Sequence, residues 1–159
     1  MVRGAGSPLV IELLLVRLPE GDESALPLGR AEVVREGSDV TVVAWGAMLH
    51  EALAAADCAS EEQISCEVID LRTLLTVDAE SVAASVARTG RCVVVHEAPR
   101  TCGYGAELAA LVAERAFLSL EAPVRRITGW DTPFPHALEA EYLPGADRIL
   151  QGIRETAGY

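Results

Sequence analysis

Aromatic residues are scarce in this chain. Phe, Trp and Tyr make up only 4% of its 159 residues, although 50% are hydrophobic. A core large enough for one domain must therefore be built from Val, Leu, Ile and Ala. Basic residues are few as well: 13 Lys and Arg stand against 24 Asp and Glu, a formal net charge of −11. That balance argues against a nucleic-acid partner, because a phosphate-binding face needs clustered Lys and Arg. It suits a partner with basic residues, and equally a solvated acidic surface that keeps the chain soluble. No CxxC pair occurs among Cys58, Cys66, Cys92 and Cys102, and no His stands at ligand spacing, so no metal site is expected. Reduced thiols in a cytoplasmic chain are the default. Cys66 and Cys92 fall in strand-like runs and should be buried and inert.

Long hydrophobic runs are missing too. LVIELLLVRL, residues 9–18, is too short to cross a bilayer and is interrupted by Glu12 and Arg17. A signal peptide needs an unbroken apolar stretch and a small-residue cleavage site, and neither is evident. No membrane association is therefore expected. PEGDESALPLG, Pro19 to Gly29, disfavours helix and strand alike and reads as a linker. Residues 1–28 are thus an amino-terminal segment with a linker, and residues 29–159 form one domain. There is no internal repeat.

From Arg30 onward the pattern becomes regular. Ala31 to Arg35 reads as a short strand, closed by Glu36-Gly37-Ser38. Asp39 to Trp45 (DVTVVAW) is β-branched and nearly continuous, the signature of a central strand. Residues 47–59 have helical spacing, with Met48, Ala52, Ala55 and Ala56 on one face. Ile64 to Ile69 is the next strand. Asp78 can cap a helix through about Thr89, with Val82, Ser85 and Val86 inward, and Gly90 ends it in the left-handed conformation. Cys92 to His96 is a strand apolar enough to be buried on both faces, as parallel sheets require. A helix from about Tyr104 to Ser119, a strand from Pro123 to Thr128, a short helix near Ala137 to Glu141 and a last helix from Ala146 to Glu155 complete the chain. Alternating strands and helices predict a three-layer α/β/α domain with a mostly parallel sheet of about five strands.

His96, Glu97 and Arg100 fall at the carboxyl end of a strand, the edge where open α/β sheets usually meet ligands and partners. They do not make a complete active site. His96 and Glu97 are adjacent, so a strand would point them to opposite faces, and a structural or interface role is favoured over a proton-transfer pair. Gly103 and Gly105 (CGYG) open a helix and could cradle an anion on backbone N–H groups, but residue 108 of the would-be GxGxxG is Leu. A tight strand-to-helix turn is the preferred reading. There is no GxSxG elbow, and neither Cys58 nor Cys102 comes with an evident His and carboxylate. No catalytic, cofactor-binding or metal-ligating residue is therefore assigned. Asp131-Thr132-Pro133-Phe134-Pro135 is stiffened by two prolines and presents Phe134 and Trp130, either to an interface or as a lid on the local core.

Five separated stretches carry a resemblance: DVTVVAWGAMLHEAL, EVIDLRTLLTVD, GRCVVVHEAPRTCGYGAELAALVAE, LEAPVRRITGWDTPFPHALEAEYLP and the ADRIL tail. In this order and spacing, from about Leu26 to Tyr159, the chain resembles the carboxyl-terminal domain of the β-subunit of thiamine-diphosphate-dependent 2-oxo acid dehydrogenases. That domain belongs to the transketolase carboxyl-terminal superfamily. Among the branched-chain, pyruvate and acetoin members, HEAPRT with VRRITGWDTPFP resembles most the branched-chain and related bacterial enzymes.

The resemblance implies that the first strand, near Ala31 to Arg35, is antiparallel. It implies a domain for assembly and partner binding, with no cofactor bound by this chain. Thiamine diphosphate and magnesium belong to the complete enzyme, held between the α-subunit and the β-subunit's amino-terminal domain. Residues 1 to about 18 diverge from the segment that joins the two domains in the family. Oxidative decarboxylation is accordingly not expected from this polypeptide alone. The implied partners are the α-subunit, a second β-subunit, and the small subunit-binding domain of the acyltransferase core. Glu121 and the terminal carboxylate of Tyr159 would receive basic residues of that last domain. His96, Glu97, Arg100, Asp131, Thr132, Pro133, Phe134 and Pro135 would lie at or near subunit interfaces. An isolated domain of this kind is expected to self-associate, as a homodimer or otherwise. The competing reading is a free-standing Rossmann-like domain that binds a small molecule or anion at the CGYG turn.

Overall fold

The computed structural model describes residues 28–159; the 9–18 apolar run and the start of the linker lie outside them. The elements follow in the order β1 (Glu32–Arg35), β2 (Val40–Ala44), α1 (Met48–Glu61), β3 (Cys66–Asp70), α2 (Ala79–Thr89) and β4 (Cys92–Pro99). Then come α3 (Gly105–Ala116), a 3-10 turn (Phe117–Ser119), β5 (Arg125–Gly129), a second 3-10 turn (His136–Leu138), α4 (Glu139–Tyr142) and α5 (Ala146–Ala157). The strands form one five-stranded sheet in the order β1-β3-β2-β4-β5. β1 pairs antiparallel with β3, and every other neighbouring pair is parallel. The expected mixed sheet and three layers are both present.

Side-chain alternation along each strand builds the two halves of the core. Val40, Val42 and Ala44 of β2, Val68 of β3, and Val93 and Val95 of β4 face one side. There they meet Met48, Ala52, Ala55, Ala56 and Ala59 of α1 and Ile149, Leu150 and Ile153 of α5. The alanine stripe of α1 brings that helix close to the sheet, while the isoleucines of α5 supply bulk. Each fully buried Ile contributes about 1.5–3 kcal/mol. Val43, Cys92 and Val94 face the other side, against Val82 and Val86 of α2 and Leu108, Val112 and Ala116 of α3. Thr41 points into this second layer, and its hydroxyl is satisfied by Ser85 Oγ at 2.6 Å and Thr89 Oγ1 at 2.8 Å.

Local signals work where they were expected. Asp78 accepts from the Ser81 N–H and hydroxyl at the start of α2. Gly90, at φ 69°, closes the same helix by donating to Val86 O at 2.8 Å. Two boundaries differ from expectation by three residues. β4 runs on past His96 to Pro99, because β5 keeps pairing with it through an irregularity between those residues. The helix expected to reach Ser119 ends at Ala116, where a 3-10 turn takes over and leaves Phe117 and Leu118 in solvent. Among the described residues, no helix is long and apolar enough to cross a membrane.

Candidate functional site

His96 is 1% exposed, enclosed by this chain alone. Its ring stacks on Trp45 at 5.4 Å and 19°, and Trp45 in turn meets Tyr104 edge-on at 5.9 Å. Gly103 and Gly105 close the remaining side. A Cβ on Gly105 would collide with the imidazole Nε2 and Cδ2, and one on Gly103 with Pro99 O and the imidazole Cε1. The CGYG turn is glycine-bearing because a ring fills the space an anion would have taken. Neither ring nitrogen makes a well-formed hydrogen bond. The Ala98 backbone, near enough to favour the charged form slightly, completes none. Burial first, and the Arg126 charge second, hold the His96 pKa below its ordinary value, so the ring is neutral. Its contribution to any interface is made through the turn it supports.

Glu97 points the other way into solvent, as the pleat dictates, so the two side chains are not a proton-transfer pair. Partial burial, and then the nearby Glu139, push its carboxyl above the usual range. Arg100 donates from Nη1 to Arg126 O at 3.0 Å, and Arg126 returns a bond to Arg100 O at 3.1 Å. These reciprocal bonds clamp the β4–α3 loop to β5. Asp131 accepts from the Thr101 N–H and hydroxyl, both at 2.8 Å, which keeps its carboxyl below the usual range.

Thr132 and Pro133 stand exposed at the tip of that loop, and Pro135 is half-buried. Phe134, 42% exposed, packs edge-on against His136 and Tyr142 at 5.2 and 5.1 Å. Trp130 donates from Nε1 to Glu141 O at 3.0 Å and carries the Arg148 guanidinium over its ring at 4.2 Å. The loop is therefore both lid and display: one face closes over Tyr142, and the other meets solvent.

Glu121 and Tyr159 lie at the opposite, amino edge of the sheet. Glu121 stands just ahead of β5, and α5 runs back alongside that strand, with Thr156 accepting from Arg125 Nε at 3.3 Å. Glu121 rests its side chain over Gly90, donates its backbone N–H to Gly90 O at 2.8 Å, and pairs with Arg91 at 2.7 Å. Its side chain remains 61% exposed, and Tyr159 is 66% exposed. Sequence reading missed Phe117 and Leu118, 68% and 97% exposed on the same side of the molecule. The signal was available: both follow the last inward residue of α3, Ala116.

Among the described residues, no group of His, Cys, Asp or Glu is placed to hold a metal ion. No chemical step is derived through thiamine diphosphate or magnesium. What the fold and its edges define is a mixed α/β/α domain whose exposed chemistry is ion pairs, capped loops and aromatics. The chain belongs to the family described as transketolase, C-terminal domain, which it matches over residues 29–149. It is 53% identical over 142 residues to the 2-oxoisovalerate dehydrogenase subunit beta 2 of Arabidopsis thaliana, a mitochondrial protein, covering 89% of this chain and 39% of that one. It is 55% identical over 132 residues to the 3-methyl-2-oxobutanoate dehydrogenase subunit beta of Mycobacterium tuberculosis, covering 82% and 38%. The chain thus spans about two-fifths of the length of these relatives. A solved split-gene transketolase, described as an inactive beta4 tetramer, superposes with a TM-score of 0.72 at 30% identity, over 86% of this chain and 44% of that one.

Proposed function

We infer that this chain is the assembly and partner-binding domain of the β-subunit of a 2-oxo acid dehydrogenase decarboxylating component. The single observation that carries this reading is identity above 50% to β-subunits of branched-chain 2-oxo acid dehydrogenases along most of the described fold. In the complete enzyme, thiamine diphosphate with magnesium would supply the decarboxylation chemistry. This domain would contribute contacts to the α-subunit and to a second β-subunit. The carboxyl-edge residues Glu97, Arg100 and the Asp131–Pro135 loop form the candidate subunit surface, held in shape by His96 from beneath. Reduced Cys58, Cys66, Cys92 and Cys102 suit a cytoplasmic or similarly reducing compartment.

Glu121 and the Tyr159 carboxylate form the candidate dock for the acyltransferase's subunit-binding domain. The shared amino edge supports this pairing, as does the apolar surface of Phe117 and Leu118 nearby. Arg91 already pairs with Glu121, whose side chain is 61% exposed, so an incoming basic residue can reach the same carboxylate. Desolvation by the partner would then strengthen the new pair.

Titration calorimetry with the isolated subunit-binding domain tests the reading. Glu121→Gln should weaken binding about tenfold, the loss of one charge-assisted contact. No response to the acyltransferase domain, or binding unchanged in Glu121→Gln, would count against it. The anion-binding alternative at the CGYG turn has lost its cavity to the His96 ring.

A further inference from the structure

All 13 basic residues of this chain are arginine, and four of them line one groove of about 390 Å³ along β5. The groove runs beside Arg125–Asp131, with Arg100 on one wall and Arg148, Gln151 and Glu155 on the other. β5 is an edge strand, yet its Arg126 and Thr128 carbonyls are already occupied. Arg100 donates to the first at 3.0 Å and Arg148 to the second at 2.8 Å. An added strand would find those acceptors taken, so the groove is not built for strand addition. Its charge is another matter. Arg125 is paired with Glu155 at 2.5 Å, and both Asp131 oxygens face Thr101 donors, although Asp131 also feels the Arg100 charge. Arg100, Arg126 and Arg148 have no carboxylate within ion-pair distance among the described residues. Three guanidiniums outside any ion pair, with Asp131 offsetting Arg100 in part, thus line one concavity of a protein whose net charge is −11. Two of them, Arg100 and Arg126, are held side by side by reciprocal bonds despite their like charge.

We propose that the β5-edge groove is a binding site for a small multivalent oxyanion, a phosphoryl or polycarboxylate group. A guanidinium presents its donors as a planar fork that matches either oxyanion in bidentate fashion. The clamp fixes Arg100 and Arg126 before the ligand arrives, so little side-chain entropy is lost on binding. Arg148 adds charge from the wall while its own donors brace Thr128, Tyr142 and Leu143. The site is separate from the amino-edge dock but shares Arg100 and Asp131 with the carboxyl-edge subunit surface, so it is tested on this chain without its partners.

The test titrates inorganic pyrophosphate and, separately, citrate into the full chain at low ionic strength, reading heat and amide NMR shifts. One-to-one binding with shifts at Arg100, Arg126 and Trp130 is expected, and the tighter ligand identifies the oxyanion type. The double variant Arg100→Gln/Arg126→Gln should weaken binding at least about tenfold. Arg115→Gln, an exposed arginine on α3 outside the groove, should leave it unchanged. A thermal melt confirms that each variant is folded. No saturable binding of either anion, or equal losses in the two variants, would overturn the proposal.

Discussion

Replacing Gly105 by Ala should destabilise this domain, although glycine-to-alanine changes usually favour a helix. Gly105 is the first residue of α3 and its φ is not positive, so the backbone itself would accept a side chain. The obstacle is His96, whose Nε2 and Cδ2 occupy the place of the new Cβ. The ring has little room to retreat, because Trp45 stacks on its face at 5.4 Å and Gly103 packs against Cε1. Over-packing at a site of this kind costs about 1–3 kcal/mol, against at most about 1 kcal/mol gained in helix propensity. With the full propensity gain the net loss is up to about 2 kcal/mol, equivalent to a fall in Tm of up to about 8 °C for a domain of this size. Urea denaturation followed by circular dichroism measures it. A cycle with His96→Ala sharpens the test: without the ring, the methyl introduced by Gly105→Ala should fill space rather than collide. The double variant should be more stable than the sum of the singles by about 0.5–3 kcal/mol. Raised stability in Gly105→Ala, or strict additivity in the cycle, would refute the assignment of the turn to His96.

Acid should act on the same ring. The folded-state pKa of His96 lies below its ordinary 6.5, so the unfolded chain takes up its proton first, and stability falls as pH drops through and below 6.5. His96→Gln should flatten that part of the stability–pH curve; an identical slope would show that other groups carry it. Arg88 donates from Nη2 to both carboxylate oxygens of Glu67, whose side chain is 1% exposed, at 2.6 and 2.7 Å. Arg88→Ala should cost about 1–3 kcal/mol in urea unfolding, because the buried oxygens lose their partner, and a loss below about 0.5 kcal/mol would mean that water replaces it. Burial pushes the Cys66 thiol to about 11 and the Cys92 thiol to about 12, whereas Cys58 and Cys102 are exposed. Iodoacetamide at neutral pH should therefore modify two thiols in the native chain and four in urea, read by mass spectrometry.

Much of this architecture was legible because its central strands bury both faces. Runs such as VTVVA of β2 admit few other structures, and Asp78 and Gly90 mark the ends of α2 with side-chain and backbone chemistry local to them. The carboxyl end of β4 was less legible. Glu97-Ala98-Pro99 carries no strand periodicity, and those residues stay extended only because Gly129, far along the chain, pairs with Pro99. The CGYG turn was read correctly as a turn, yet the need for its glycines comes from a histidine on the preceding strand.

By itself the sequence determined the fold class, the family and the alternation of elements, since these depend on patterns within short windows. Only the tertiary structure decided which polar groups meet. Strand order brings Glu121 and Tyr159 to one edge, and it sets His96 and the Asp131–Pro135 loop at the other. The same order gathers Arg100, Arg126 and Arg148 beside β5. Such meetings depend on how strands and helices pack across long separations, and hydrophobic periodicity records which face of an element is buried without recording its neighbour.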